Sequence, residues 1–254
     1  MRIIISPAKK MKSDPDTLPW DGFPVFLDRS EKLKSWIQSL SLGDLRQLWN
    51  TSQKLAELNY ERFQEMDLRS SLTPALLSYE GIQYQYMAAG VLEEEAYRYL
   101  EEHLRILSGF YGVLRPFDGV RPYRLEMQAR INMEGVQNLY DFWGSSLYEE
   151  VSRGDPMILN LASKEYSKCI ENYLKAGDKY ITVVFGEVQN GRVIQKGTLA
   201  KMARGEMVRF LASGGIQDPM KIREFEGLGF RYDKNRSSDD EIVFIRQEKE
   251  EESV

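Results

Sequence analysis

The stretch Tyr180 to Lys196, YITVVFGEVQNGRVIQK, decides the class of fold. β-branched and aromatic residues flank Gln189-Asn190-Gly191, and Asn-Gly supplies the positive φ angles that a tight two-residue hairpin turn requires. Antiparallel pairing is therefore expected in the last third of the chain. Downstream, Thr198 can cap a helix reaching Ala212, and Gly229 to Asp233 with Glu241 to Arg246 read as two final strands. Upstream, Met157 to Leu161 reads as an apolar strand running through Asn160-Leu-Ala-Ser163 into a helix that ends near Leu174, preceded by an amphipathic helix over Leu139 to Val151.

The first strand is equally plain. Arg2 to Ile5 is a β-branched run closed by Ser6-Pro7, so it reads as a buried strand ending in a loop. Pro15, Pro19, Gly22 and Pro24 make Asp14 to Pro24 irregular. Helical spacing of apolar residues predicts helices over Ser30 to Leu40, Gly43 to Leu55 and Asn59 to Met66, with a break at Ala56 to Asn59, and a further helix over Glu93 to Leu107. Leu107 to Met127, rich in Gly and Pro, reads as a loop holding Arg115, Arg121 and Arg124. Strands at the start, middle and end with helices clustered between them favour α+β with a mixed sheet surrounded by helices. No repeat or linker divides the chain, so a single domain is expected over residues 1–246, followed by an acidic tail at 247–254 expected to be disordered.

Composition narrows the chemistry. The 254 residues, 42% hydrophobic and 29% charged, suffice for a sizeable core, and no run of about 18 apolar residues suggests a membrane span. MRIIISPAKK has too short an apolar run for a secretory signal, which points to a cytoplasmic protein. With one cysteine, Cys169, and one histidine, His103, the chain cannot form an internal disulfide, a thiolate zinc cage or an iron–sulfur cluster. A Ser-His-Asp triad could run only through His103, and Leu100 stands where a di-iron Glu-x-x-His pair would need its glutamate. No cofactor and no metal site is expected. What remains is chemistry carried by Lys, Arg, Asp, Glu, Tyr and Ser, or binding alone.

The net charge of −5 argues against a dedicated nucleic-acid binder, but its distribution matters more. Asp239 to Val254 alone holds seven acids and two bases, which accounts for the whole excess. Arg192 to Arg236 carries ten bases against five acids, and His103 to Arg130 five arginines against two acids. Both segments are locally basic, as a solvated face or an anion site would be.

Several of these bases sit where a ligand is commonly held. Lys9 follows the first strand, and loops at the carboxyl ends of buried strands are where open sheets bind ligands; a surface lysine is the plain alternative. Arg115, Arg121 and Arg124, interleaved with Tyr111 and Tyr123, suit an anionic partner or a loop packed by its own aromatics. Lys201 and Arg204 share a helix face beside the small residues Ala203 and Gly205, as the edge of a cleft or a solvated face. Asn160, Ser163 and Lys164 mark a strand-to-helix junction whose free N–H groups favour an anion. His103 and Cys169 read as helix-face and core residues, and Glu93-Glu94-Glu95 as a helix start.

Ile-Ser-Pro-Ala-Lys at 5–9, Leu-Ser-Gly-Phe-Tyr-Gly-Val-Leu-Arg-Pro at 107–116, Pro-Tyr-Arg-Leu-Glu-Met at 122–127, Tyr-Asp-Phe-Trp at 140–143, Asn-Leu-Ala-Ser-Lys-Glu-Tyr at 160–166, Lys-Met-Ala-Arg-Gly at 201–205 and Gly-Phe-Arg-Tyr-Asp at 229–233 together resemble the bacterial YaaA family of peroxide-stress proteins. The resemblance covers nearly the whole chain. It implies a cytosolic protein of the peroxide response, linked to limiting unincorporated iron and oxidative damage to DNA and proteins. It also implies a mixed α/β fold with a basic cleft, a helix-hairpin-helix element, and binding to double-stranded or branched DNA. That element would be Asp44 to Leu55, a hairpin at Ala56 to Asn59, and Tyr60 to Met66; Glu57 stands where relatives can carry glycine, and its charge opposes phosphate.

On the matching motifs, the expected DNA- or anion-binding cleft is Lys9, Arg115, Arg124, Lys164, Lys201 and Arg204. Glu126 and Tyr166 beside them are the candidate catalytic residues if the cleft instead belongs to an enzyme acting on a small phosphorylated or nucleotide-like anion. Direct iron sequestration ranks last, because a carboxylate site would hold Fe(II) weakly.

Overall fold

The computed structural model describes residues 1–133, 135–155 and 157–247. Of the acidic tail expected at 247–254, all but residue 247 lies outside the described residues. The sheet strands, in chain order, are β1 (Arg2–Ile5), β2 (Leu104–Ser108), β3 (Gly112–Leu114), β4 (Met157–Asn160), β5 (Lys179–Gln189), β6 (Arg192–Ile194), β7 (Phe230–Tyr232) and β8 (Glu241–Arg246). Across the sheet they run β7-β8-β5-β4-β1-β2-β3, with β6 paired to the far end of β5.

The hairpin at Asn190-Gly191 forms as its residues dictate: Asn190 and Gly191 have φ of 50° and 76°, and β5 and β6 pair antiparallel from Gln189↔Arg192 to Glu187↔Ile194. The mixed sheet is as expected. Its five inner strands β8, β5, β4, β1 and β2 are nonetheless all parallel, and antiparallel neighbours occur only at the edges and in the hairpin. Parallel neighbours need long crossovers, which the intervening helices supply, so the architecture is mixed α/β rather than segregated α+β.

β1 sits in the middle, and Ile3, Ile4 and Ile5 are fully buried, as a parallel strand covered on both faces requires. Burying each such side chain contributes about 1.5–3 kcal/mol. The chain leaves β1 towards β2 on one side and leaves β4 towards β5 on the other. The boundary between β1 and β4 is therefore the topological switch point, where a crevice opens at the carboxyl ends of the strands.

The helices that matter here are α1 (Leu27–Gln38), α2 (Leu42–Leu48), α3 (Gln53–Gln64), α4 (Ile82–Met87), α5 (Glu94–His103), α6 (Leu139–Trp143), α7 (Ser146–Val151), α8 (Lys164–Glu171) and α9 (Gly197–Ser213). Four sequence expectations change, one of them being that the loop expected over Leu107 to Met127 holds the end of β2 and all of β3, paired through Leu107↔Val113 and Ser108↔Gly112. The hairpin expected at Ala56 to Asn59 lies inside continuous α3, where Ala56, Asn59 and Phe63 form one buried stripe and Gln53 Nε2 donates to Glu57 Oε1 across one turn. No Gly or Pro interrupts that stretch. The chain turns earlier, at Trp49 to Ser52, where Asn50 takes a φ of 41°.

The helix expected to reach Leu107 stops at His103. Leu104 and Ile106 instead pair with Ile3 and Ile5 of β1, and all five residues of β2 are buried. Sheet pairing to β1 outweighs the helical spacing of these leucines. The helix expected over Leu139 to Val151 is two, α6 and α7, broken where Gly144 adopts φ 55° and ψ −142°. Among the described residues no helix is long and apolar enough to cross a membrane.

Candidate functional site

At the switch point the loops after β1 and β4 are tied together. Ser6 Oγ accepts from the Ser163 backbone N–H at 2.8 Å and lies 3.1 Å from Ser163 Oγ. Over this junction opens a cavity of about 360 Å³, bounded by the loop Ser6 to Lys10, the segment Glu80 to Tyr84, the segment Tyr123 to Glu126, the start of α8, and Lys201 and Arg204 of α9. Elements far apart in the chain thus converge on one concave space.

Each cation arrives by a different route. Lys9 comes from the loop that ends β1, and its Nζ lies 2.9 Å from Glu126 Oε2. Arg124 donates from Nη2 to Glu126 Oε1 at 3.1 Å, with only 13% of its side chain exposed. Lys201 and Arg204 stand three residues apart on α9, which packs on α4 through Gly205. Neither makes an ion pair among the described residues, whereas Lys9, Lys10 and Arg124 each meet a carboxylate. Burial lowers the pKa of Arg204 from the ordinary arginine value, an expression of how poorly its charge is solvated.

Several residues of the wall carry polar groups that lack partners. Among the described residues, eight buried side-chain polar atoms have no hydrogen-bond partner, and three of them belong to residues lining this cavity: Gln83 Nε2, Arg124 Nε and Arg204 Nε. All three are N–H donors. Buried donors are costly to leave unpaired, and their concentration on residues of one cavity makes this part of the molecule rich in donors.

The wall also carries acids and phenols. Burial holds the Glu165 carboxyl above the ordinary carboxylate range and the Glu126 charge adds to this, while a hydrogen bond from the Gln128 N–H opposes it. Burial raises Tyr166 well above the ordinary tyrosine range and pushes Tyr123 up to about 12. Tyr123 is further fixed by hydroxyl contacts to Ser108 Oγ at 2.6 Å and Tyr79 Oη at 3.0 Å, and Tyr84 donates to the Ser6 carbonyl at 3.0 Å. These phenols stay protonated near neutrality. Tyr166 can therefore donate a hydrogen bond but is poorly placed to act as a base, and an acid–base pair in this cavity would be Glu165 with Glu126.

Of the residues singled out from sequence, Lys9, Arg124, Lys201, Arg204, Glu126 and Tyr166 meet at the cavity. Arg115 and Lys164 do not line it. Arg115 is engaged by Asp118 through Nε at 3.1 Å and Nη2 at 3.0 Å, and Lys164, 81% exposed, turns to Glu171. Both are consumed by local carboxylates, which spacing in the sequence does not reveal. Arg121 donates to the Ser71 carbonyl instead. Gln83, Tyr84 and Glu165 were not foreseen. Glu165 adjoins Tyr166 in a stretch already marked, but Gln83 sits in a six-residue helix too short to show periodicity.

Cys169 is buried, its thiol pushed up to about 12 by that burial, so it is inert core. Among the described residues no three His, Cys, Asp or Glu side chains group as metal ligands would.

A family model described as "Peroxide stress protein YaaA" matches residues 1–236. The chain is 54% identical over 246 residues to a UPF0246 protein of Desulfitobacterium hafniense (strain Y51), covering 97% of this chain and 98% of that one. It is 51% identical over 248 residues to a UPF0246 protein of Lachnoclostridium phytofermentans, covering 98% and 97%, and 50% identical over 247 residues to one of Agathobacter rectalis, covering 97% and 99%.

Proposed function

The chain belongs to the peroxide stress protein YaaA family, and from that membership and the cationic cavity we propose that it serves the peroxide response in the cytoplasm by binding double-stranded or branched DNA through its phosphates. The observation that carries this reading is that Lys201 and Arg204 line the cavity and make no ion pair among the described residues, beside Nε donors of Arg124 and Arg204 that have no partner there. Phosphate oxygens satisfy both needs at once. Occupying DNA in this way limits oxidative damage to it. Limiting unincorporated iron belongs to this proposal through the family membership alone.

A second phosphate contact, in the place of the helix-hairpin-helix element, falls at the turn Trp49 to Ser52 between α2 and α3, with exposed Lys54 beside it. Glu57 lies on the flank of α3 and one turn from that site, so it weakens this contact less than a hairpin residue would. Fluorescence anisotropy of labelled duplex and four-way-junction DNA at about 50 and 200 mM salt tests the proposal. Several phosphate contacts change affinity by orders of magnitude over that range, and no saturable binding at the lower salt would refute it.

One observation favours a second reading. The cavity of about 360 Å³ is of the size that holds a small ligand, and Glu165 lines it together with Glu126. An enzyme acting on a small phosphorylated or nucleotide-like anion would use Glu165 as the acid and Glu126 as the carboxylate partner. Such a protein would be stabilised thermally by one class of compound with modest dependence on salt.

A further inference from the structure

We infer that the cavity takes a single nucleotide unit, with the phosphate at Lys9, Lys201 and Arg204 and the base among Gln83, Tyr84 and Tyr166. This deepens the proposal that the cleft binds phosphate and rests on it. A phosphate alone answers the cations, of which Lys9 and Lys201 are the exposed ones. It does not account for the rest of the wall. Gln83, Tyr84, Tyr123 and Tyr166 are 6%, 7%, 4% and 6% exposed, so the cavity carries a largely apolar, aromatic portion with one unpartnered amide donor, continuous with the charged portion.

A ligand that answers all of it carries an anion at one end and, at the other, a flat group with acceptor atoms on its edge. A nucleotide has that chemistry. Aromatic side chains hold any base by its face, and an amide donor pairs with acceptors on its edge. The volume admits one such unit and excludes a duplex. The unit arrives either as a free nucleoside monophosphate or as a nucleotide drawn out of a strand, which costs least from single-stranded DNA.

The test compares three ligands by calorimetry at fixed ionic strength: deoxyadenosine 5′-monophosphate, deoxyribose 5-phosphate and inorganic phosphate. The expected result is that the nucleotide binds about tenfold more tightly than deoxyribose phosphate, as one held base implies. Gln83→Met, similar in length but without amide donors, erases most of that advantage while leaving deoxyribose phosphate binding unchanged. In a parallel arm, a short labelled single strand is compared with its fully abasic counterpart of equal charge. Tighter binding of the strand with bases identifies a strand unit as the source; a base effect on free monophosphates alone identifies free nucleotide. Equal affinity with and without the base in both arms overturns the inference and leaves the phosphate reading standing. Failure of every phosphate compound and strand to bind overturns both.

Discussion

Gly205 of α9 lies directly against the backbone oxygen of Gln83 in α4: a Cβ at position 205 would stand 2.1 Å from that oxygen and 3.0 Å from the Met87 nitrogen. Both neighbours are backbone, so the contact cannot be relieved by turning a side chain. This glycine brings α9, with Lys201 and Arg204, within reach of the cavity wall that carries Gln83.

Gly205→Ala is accordingly expected to destabilise the fold. Alanine gains about 1 kcal/mol of helix propensity over glycine, but overpacking two helices costs about 1–3 kcal/mol, and here the clash is with main chain. Urea unfolding should show a net loss of about 1 kcal/mol or more, together with weaker DNA binding as α9 moves off α4. A variant as stable as the parent with undiminished affinity would contradict this packing.

Glu126 shields the cleft, since Lys9 and Arg124 both spend their charge on it. Glu126→Gln removes one negative charge from the phosphate site and frees both cations. DNA affinity at low salt should rise about fivefold, the equivalent of about 1 kcal/mol for unit charges about 4 Å apart in water. Weaker binding would show that Glu126 holds the cations in place rather than competing with the ligand.

Asp118 is nearly fully buried, and burial pushes its carboxyl up to about 6, outweighing the lowering by Arg115. Its folded pKa lies above its unfolded value near 3.9, so the folded state retains a proton that the unfolded chain has released. The stability from this group is full below about pH 4 and is lost as pH rises towards 6. A carboxyl carbon NMR titration of the native protein should place Asp118 near 6, against a midpoint near 4 if the Arg115 charge governs it.

The residues outside the cavity serve as controls. Lys164→Ala should leave DNA affinity within about twofold, since Lys164 pairs with Glu171 at an exposed position where such pairs contribute little. Arg115→Ala should likewise spare binding but lower stability by about 2 kcal/mol, because buried Asp118 loses its partner. Anisotropy together with urea unfolding distinguishes the two effects. A large loss of affinity in Lys164→Ala would return that residue to the site.

What could be read from sequence follows from how local each feature is. Ile3 to Ile5 form a strand because an all-β-branched, all-apolar run has little else to do, and Asn190-Gly191 makes its own turn. Leu104 to Ser108 was hidden because helical spacing in the preceding turns continues into it, while its partner in β1 lies about a hundred residues away. Ala56 to Asn59 misled for the opposite reason. Polar Glu57 and Asn59 suggest a break, yet the Asn59 amide donates back to the Leu55 carbonyl and sustains the helix. Of the four expected cleft cations that line the cavity, Lys9 sits at a strand end and Lys201 and Arg204 on one helix, while Arg124 comes from the irregular segment 121–126. Arg115 and Lys164 do not line it, since carboxylates three and seven residues further on, Asp118 and Glu171, engage them locally.

The phosphate-binding role of the cleft is tested most directly by comparing the parent with Lys201→Ala/Arg204→Ala in DNA anisotropy titrations between about 50 and 200 mM salt. If both cations contact phosphate, the double variant loses at least about tenfold in affinity at the lower salt. The slope of log affinity against log salt then becomes shallower by nearly 2, about 0.9 for each lost contact. Unchanged affinity and slope in a folded double variant would remove this cleft from DNA binding altogether.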